Sequence, residues 1–354
     1  MPGDRSSVSG RMEGGGYYTA HSQAQRAFGA LALDWLAIAA TEIEAPRQGV
    51  PFVIADFGAA GGGSSLEPVR RALAARAAPG PALIVHTDIP SNDFSALFEL
   101  IETSPESYAG VPDVYPYAAG RSFYESLFPA AFLSLGWSAI AVHWLSNVAE
   151  PIADHIYCTF ATGDVMTALK RQSARDWRDF LGHRAVELRS TGRLIVAGGA
   201  NSDDGASGAE GLMDAANESM RSLVAAGVLS QSEYQRMTIP TWNRTLAEFT
   251  EPFTQGELAG RLELRRAELH TLPDPFLTAF EQDGDVDRYA DSVVGSFRAA
   301  FEESLWVALN SERDVSARTR IRAAFAAEFT KRVAADPRRC SAAWRVVILD
   351  IAAL

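Results

Sequence analysis

The sequence predicts an α/β fold, a mostly parallel, Rossmann-like sheet with helices on both faces and a mainly helical cap over the site. Three observations predict it. Short apolar runs alternate with amphipathic helical stretches up to about residue 200, the order of strand–helix–strand units. The first run, Phe52-Val53-Ile54-Ala55-Asp56, ends in an acid and opens into Gly58, Gly61, Gly62 and Gly63, as a buried strand feeding a tight turn does. Residues 201–250 then change texture: they are helical and loop-rich, with Leu212, Met213, Met220 and Met237 as apolar markers.

Residues 1–16 are rich in Gly, Ser and charge and read as a flexible lead-in. From 22 to about 43, Ala24, Phe28, Leu31, Trp35 and Ile38 recur at helical spacing. After the first strand, Ser64 and Ser65 stand where a cap is wanted, ahead of a helix at 66–77. A second strand, Ala82-Leu83-Ile84-Val85-His86, ends at Asp88, and a helix covers 93–102. A third strand is expected near 139–144, a helix at 174–190, and a fourth strand at 193–197 ending in Gly198-Gly199. Residues 261–270 alternate apolar and charged side chains (Leu262, Leu264, Ala267, Leu269), as an edge strand does. Helices are expected at 285–310 and 316–335, and 344–351 reads as a last, antiparallel strand. The organisation that follows is a lead-in at 1–16, a ligand-binding core with an N-terminal lid at 17–200, a helical cap at 201–260, and the remainder of the core sheet with further helices at 261–354.

A length of 354 residues allows one large domain or two modest ones. With 47% hydrophobic and 21% charged residues the chain is neither disordered nor fibrous. It holds no apolar stretch long enough to predict a membrane span. A net charge of −12 repels nucleic acid and anionic lipid, and Arg261, Arg265, Arg266, Arg338 and Arg339 do not gather into one face, so neither partner is expected. Cys158 and Cys340 make no disulfide framework and have no metal-ligand spacing, so no metal is expected and the cytoplasm is the expected compartment. The N-terminus does not read as a secretory signal.

The turn after the first strand carries the sharpest chemical signal. Glycines let backbone approach a ligand closely. Their spacing departs from G-x-G-x-x-G, which weighs against a dinucleotide and a nicotinamide dehydrogenase. An acidic strand end with a loose glycine turn suits a ligand with no pyrophosphate to cradle. S-adenosylmethionine, with a sulfonium and an amino-acid end, is such a ligand. Asp88 stands where an acid binds both ribose hydroxyls. The bland alternative is a glycine turn beside two solvated acids.

Five motifs run in order through the N-terminal half. Met12-Glu13-Gly14-Gly15 leads into Tyr17-Tyr18-Thr19-Ala20-His21-Ser22-Gln23-Ala24-Gln25. Asp56-Phe57-Gly58-Ala59-Ala60-Gly61-Gly62-Gly63-Ser64-Ser65 follows, then Thr87-Asp88-Ile89-Pro90-Ser91-Asn92-Asp93-Phe94-Ser95. Arg121-Ser122-Phe123-Tyr124-Glu125-Ser126-Leu127-Phe128-Pro129 and Ala141-Val142-His143-Trp144-Leu145-Ser146 complete the set. Together they resemble the SABATH methyltransferases, the salicylate, benzoate and jasmonate carboxyl methyltransferases and the theobromine and caffeine synthases. Ile239-Pro240-Thr241-Trp242 and Phe297-Arg298-Ala299-Ala300-Phe301-Glu302-Glu303-Ser304-Leu305 extend the resemblance to nearly the full length. The Ala- and Arg-rich composition, as at 70–76, points to a bacterial member.

The resemblance implies a class I methyltransferase sheet, S-adenosylmethionine as donor, S-adenosylhomocysteine as product, and a small, largely apolar carboxylic acid converted to its methyl ester. It places Tyr18, Ser22, Asp56, Gly58, Ser64, Asp88, Ile89, Ser122 and Phe123 around the donor, with Ser122 and Phe123 flanking the adenine. It places Gln25 and Trp144 on the acceptor carboxylate and His143, Leu212, Met213 and Trp242 in the acceptor pocket. A homodimer is also implied. His21, Ala59, Ala60 and Ser64 depart from the family pattern near the donor, and Trp242 replaces a tyrosine, so the acceptor cannot be copied across.

A carboxylate is already ionised at pH 7, so its methylation needs no general base. Gln25 and Trp144 offer neutral N–H donors that orient it without pairing it with a cation. His143 then reads as a pocket wall, Cys158 as a buried structural thiol, and Trp35, Trp177 and Trp306 as core. Two other functions stay open: N-methylation of a small heterocycle on the same fold, and a catalytically silent, methyltransferase-like binding protein.

Overall fold

The computed structural model describes residues 23–47, 49–148 and 150–354. Its strands are β1 Phe52–Phe57, β2 Ala82–Asp88, β3 Val114–Gly120, β4 Leu133–Ala139, β5 Leu188–Asn201, β6 Arg244–Thr245, β7 Leu262–Thr271 and β8 Arg345–Ala353. They form one sheet in the order β3-β2-β1-β4-β5-β8-β7, with the short β6 beside β5. The first five pair in parallel, and β8 runs antiparallel to β5 and β7. The α/β sheet expected from the sequence is present. Strand order reverses between β1 and β4, and in such sheets ligands bind at that crevice, outside the carboxyl ends of the strands.

The longer helices are α1 Gln23–Ala30, α2 Leu33–Glu42, α3 Leu66–Ala75, α4 Phe94–Thr103, α5 Gly163–Glu187, α6 Glu210–Ala225, α7 Pro275–Asp283, α8 Val286–Phe297 and α9 Val315–Ala335. Alternate strand residues face opposite layers. Ile54, Leu135, Ile195 and Ile348 bury against Trp35 of α2, Val69 of α3 and Leu97 of α4. Val53, Phe57, Leu194 and Leu349 bury on the other face, against Trp177, Phe180 and Leu181 of α5. A third, mainly helical core joins α6, α8 and α9 through Met213, Met220, Phe297, Phe325 and Phe329. The helical layer therefore draws on α8 and α9 as well as on residues 201–260.

Several local expectations differ from the structure. The strand expected at 139–144 ends earlier, at Ala139, and 140–146 is the loop leaving it. The helix expected at 22–43 is two helices, α1 and α2. Ser65 stands at the N-cap of α3, but its hydroxyl bonds to Asp56 instead of the helix. The sequence pattern hides β3, because Pro116 interrupts it and Tyr115 and Tyr117 are exposed; an edge strand tolerates both. No helix of the described residues is long and apolar enough to cross a membrane.

Candidate active site

The turn after β1 closes on the loop after β4 at Gly58. Its φ is +86°, and a Cβ there would lie 2.3 Å from the Ala141 Cβ. Neither backbone has a flexible atom to give way, so Gly58→Ala is expected to lower stability by about 1–3 kcal/mol. Thermal unfolding checks this, and an unchanged Tm would show that the two loops are not locked together.

Beneath the turn Asp56 is buried. Its Oδ2 accepts from Ser65 Oγ at 2.5 Å and lies 2.8 Å from His86 Nδ1. His86 Nε2 in turn lies 2.6 Å from the Tyr108 hydroxyl. A neutral imidazole satisfies both neighbours if Nδ1–H donates to the carboxylate and Tyr108 donates to Nε2, a tautomer assigned from the network. Asp56 thus braces the turn from inside the protein.

Asp88 sits at the end of β2. Its Oδ2 accepts from Ala60 N–H at 2.8 Å and its Oδ1 from Ile89 N–H at 2.7 Å. Asn92 Nδ2 donates to Ala60 O at 2.9 Å, fixing the far side of the turn. Burial pushes the Asp88 carboxyl up to about 6, although the two backbone N–H bonds pull it down. Ser64 Oγ, on the same turn, is buried with no hydrogen-bond partner among the described residues.

Ser122 and Phe123 follow β3, and the Phe123 ring borders Gly58. The helix α5 fixes this segment. Arg184 Nη1 donates to Phe123 O at 2.9 Å and Nη2 to Glu125 O at 3.1 Å. Glu187 Oε1 accepts from Leu127 N–H at 2.7 Å and Phe128 N–H at 3.2 Å. The two side chains lie 2.7 Å apart and are wholly buried. The Arg184 guanidinium also lies over Phe57, 4.6 Å from the ring centroid.

The loop after β4 is fixed at every step. Ile140 leaves the strand with φ +53°, a strained conformation for a β-branched residue and one that clusters at functional sites. Arg244 Nη1 donates to Val142 O at 2.6 Å, and the Tyr124 hydroxyl to Trp144 O at 2.6 Å. Leu145 N–H donates to Pro240 O at 2.8 Å. Ser146 donates N–H and Oγ–H to the two Asp176 oxygens at 2.9 and 2.5 Å.

This scaffold sets His143 and Trp144 on the wall of a cleft with about 850 Å³ of empty space, part of it open to solvent. Phe28, Leu212, Phe297, Phe301 and Trp344 give it an apolar lining. A π-helical turn, Arg298–Glu302, follows α8 and contributes Ala300 and Phe301 to the wall. The Trp144 indole N–H has no hydrogen-bond partner among the described residues. Burial and then the Arg244 charge push His143 down to about 3, so its imidazole is neutral and a poor proton acceptor. The Cys158 thiol is pushed up to about 12 by burial and donates to Ile239 O at 3.2 Å, so it is no nucleophile.

Residues 7–313 match the family model described as SAM dependent carboxyl methyltransferase. The chain belongs to that family. Methyltransferase LUC1 of Fusarium sp. is 31% identical over 242 residues, which are 67% of this chain and 64% of that protein. Indole-3-acetate O-methyltransferase 1 of Arabidopsis thaliana is 29% identical over 230 residues, 57% of this chain and 60% of that one. The chain thus spans a little under two thirds of these relatives. A solved structure, loganic acid methyltransferase with SAH, shares the fold at a TM-score of 0.76 and 20% identity, over 97% of this chain and 98% of that one. The family shown is the one that the sequence motifs resemble.

In this member of the family the site residues read from sequence divide as follows. Gly58, Asp56, Ser64, Asp88, Ile89, Ser122 and Phe123 gather around the turn at the ends of β1 to β3. His143, Trp144 and Leu212 line the cleft. Met213 does not: it is buried in the helical core, and of the two neighbours in that core only Leu212 also reaches the cleft, since successive residues of a helix point about 100° apart. Nor does Trp242, which lies against the cluster of Leu145, Cys158 and Leu169. Tyr18 and Ser22 lie outside the described residues. Gln25 belongs to α1, one turn before Phe28, and its side chain also lies outside them. The sequence reading misses Ile140, Asn243, Trp344 and Arg345, all on the cleft wall. Only Gly198-Gly199 hinted at it: a Cβ on Gly199 would sit 3.0 Å from Asn243 Oδ1 and 3.3 Å from His143 Nδ1.

Proposed function

We propose that the protein transfers the methyl group of S-adenosylmethionine to the carboxylate of a small, largely apolar acid, giving a methyl ester. The observation that carries this reading is the Trp144 indole N–H, without a hydrogen-bond partner among the described residues, on the wall of an apolar cleft where the loop that carries it is held by Tyr124 and Arg244. The residues at the turn fit the donor. Asp88 would hold the ribose hydroxyls, the unpaired Ser64 hydroxyl a polar group of the donor, and Ser122 and Phe123 the adenine. When bound, S-adenosylmethionine supplies a methyl group already activated by its sulfonium.

The chain's own residues then have little acid–base work to do. An ionised carboxylate is its own nucleophile. Trp144 and, by the family resemblance, Gln25 orient it through neutral N–H groups, which leave its charge free to attack. His143, held neutral, walls the cleft. Orientation of this kind supplies roughly 7–11 kcal/mol of a barrier. The buried, unpaired cysteines support a reducing, cytoplasmic setting, and the resemblance supports a homodimer. Turnover is tested by S-adenosylhomocysteine release with free acids and with their amides and preformed esters. Only the free acids are expected to support it; turnover with amides would remove the carboxylate from the mechanism.

Donor binding is expected to depend on pH. The Asp88 carboxyl titrates at about 6 in the fold and near its ordinary 3.8 in the unfolded chain. Its contribution to stability is therefore present below about pH 4 and is lost as pH rises through 6. Donor affinity runs the opposite way, since ribose hydroxyls need the ionised form. Affinity for S-adenosylhomocysteine is expected to weaken below pH 6, towards about tenfold per pH unit. Calorimetry between pH 5 and 8 measures this, and Asp88→Asn should bind weakly with no such slope.

A further inference from the structure

The acceptor cleft is apolar except at a few places, and Arg345 is the one cation on its wall among the described residues. Arg345 is half-buried at the start of β8. Its N–H donates to Ser207 O at 3.1 Å and its Nη1 to Ala206 O at 2.9 Å, which tethers it to the loop before α6. Nε and Nη2 make no hydrogen bond with the described residues, and none of their carboxylates lies within 4.0 Å of the guanidinium. The nearby acids take their hydrogen bonds from other groups, and the Arg345 charge reaches Asp204 only from beyond 4.0 Å. Glu210 accepts from Ser207 and Gly208, and Asp204 from Ser202 and Ala206. Asp274, the carboxylate on the cleft wall, accepts from the N–H groups of Phe276, Leu277 and Ala342.

We propose that Arg345 binds a second carboxylate on the acceptor, so that the substrate is a dicarboxylic acid with an apolar body, methylated at one end only. The inference rests on the carboxyl methyltransferase reading above. The two positions on the cleft wall then treat carboxylates differently. A guanidinium offers a fork of N–H donors that matches a carboxylate and holds its charge. The carboxylate at Trp144 meets only a neutral N–H and keeps its nucleophilicity. Its oxygen forms the new bond to the methyl carbon as the carbon–sulfur bond breaks. The electron pair of that bond returns to sulfur and neutralises the sulfonium, and no proton moves. The product is a monoester whose remaining carboxylate stays on Arg345.

The test uses matched pairs of acceptors: octanoate with octanedioate, decanoate with decanedioate, and phenylacetate with 1,4-phenylenediacetate. The reading is the ratio of kcat/KM for diacid over monoacid, with the product analysed as mono- or diester. The wild-type enzyme is expected to prefer the diacid in at least one pair by about tenfold, as a charge-assisted bond gives, and to release monoester. Arg345→Gln is expected to bring that ratio near one, and Arg345→Lys to keep part of it. A wild-type ratio near one in every pair, or a ratio unchanged in Arg345→Gln, overturns the proposal. A lower Tm in Arg345→Gln with the ratio unchanged would make Arg345 a strap for the 202–209 loop. If the wild-type enzyme esterifies no acid at all, the carboxyl reading fails first and this inference with it.

Discussion

Trp144→Phe is expected to lower kcat/KM for the acid about a hundredfold and to leave affinity for S-adenosylhomocysteine within about twofold of wild type. The substitution keeps an aromatic ring beside His143 and Phe301, whose centroids lie 5.8 and 6.0 Å from that of Trp144. It leaves untouched the Trp144 carbonyl that accepts from Tyr124, so the loop stays fixed. What it removes is the indole N–H that the cleft wall offers to a carboxylate at this position. Misorientation of a nucleophile by about an ångström has an effect of this size. Steady-state kinetics with the preferred acid, paired with calorimetry, separate acceptor from donor. Wild-type turnover in this variant would refute the role given to the indole.

Glu187→Ala is expected to destabilise the protein by about 3–5 kcal/mol, the loss that follows when a buried ion pair is left with one partner. Here the damage spreads. The Arg184 charge stays buried between Phe57 and Phe180 without its carboxylate. The N–H groups of Leu127 and Phe128 also lose their acceptor. The segment they hold carries Ser122 and Phe123, so donor affinity is expected to fall along with Tm. Glu187→Gln keeps an oxygen for the two N–H groups and loses only the charge, and a smaller loss is expected. Denaturant unfolding of both variants measures the pair. Equal stability in Glu187→Ala and wild type would mean that the α5 clamp is not what holds the segment.

The turn proposed to hold the donor is legible in the sequence because its signals are local. An apolar run, an acid and a glycine turn follow one another at 52–65, and a second run ends in Asp88. What Asp56 does is not legible. Its partner His86 stands opposite it in the β1–β2 register and Tyr108 lies beyond that, so an acid that reads as a ligand group also braces the turn. Distance in sequence hides the clamps as well: Arg244 and Asp176 hold the 141–146 loop, and Arg184 and Glu187 the 123–128 segment. The cleft is the least legible part. It is assembled from α1, the loop after β4, α6, α8, the turn after it and β8, and apolar spacing marks such residues as buried without saying which space they face. Leu212 and Met213 are the clearest instance: adjacent in sequence and buried in the same helical core, but only Leu212 also reaches the cleft.

One measurement bears most directly on carboxylate methylation. The protein is given S-adenosylmethionine labelled in its methyl group together with a panel of small apolar mono- and dicarboxylic acids, and label in the organic extract is counted before and after mild base. A carboxyl methyltransferase gives extractable label that mild base releases as methanol. Label that resists base, or donor binding by calorimetry with no extractable product from any acid, would contradict it.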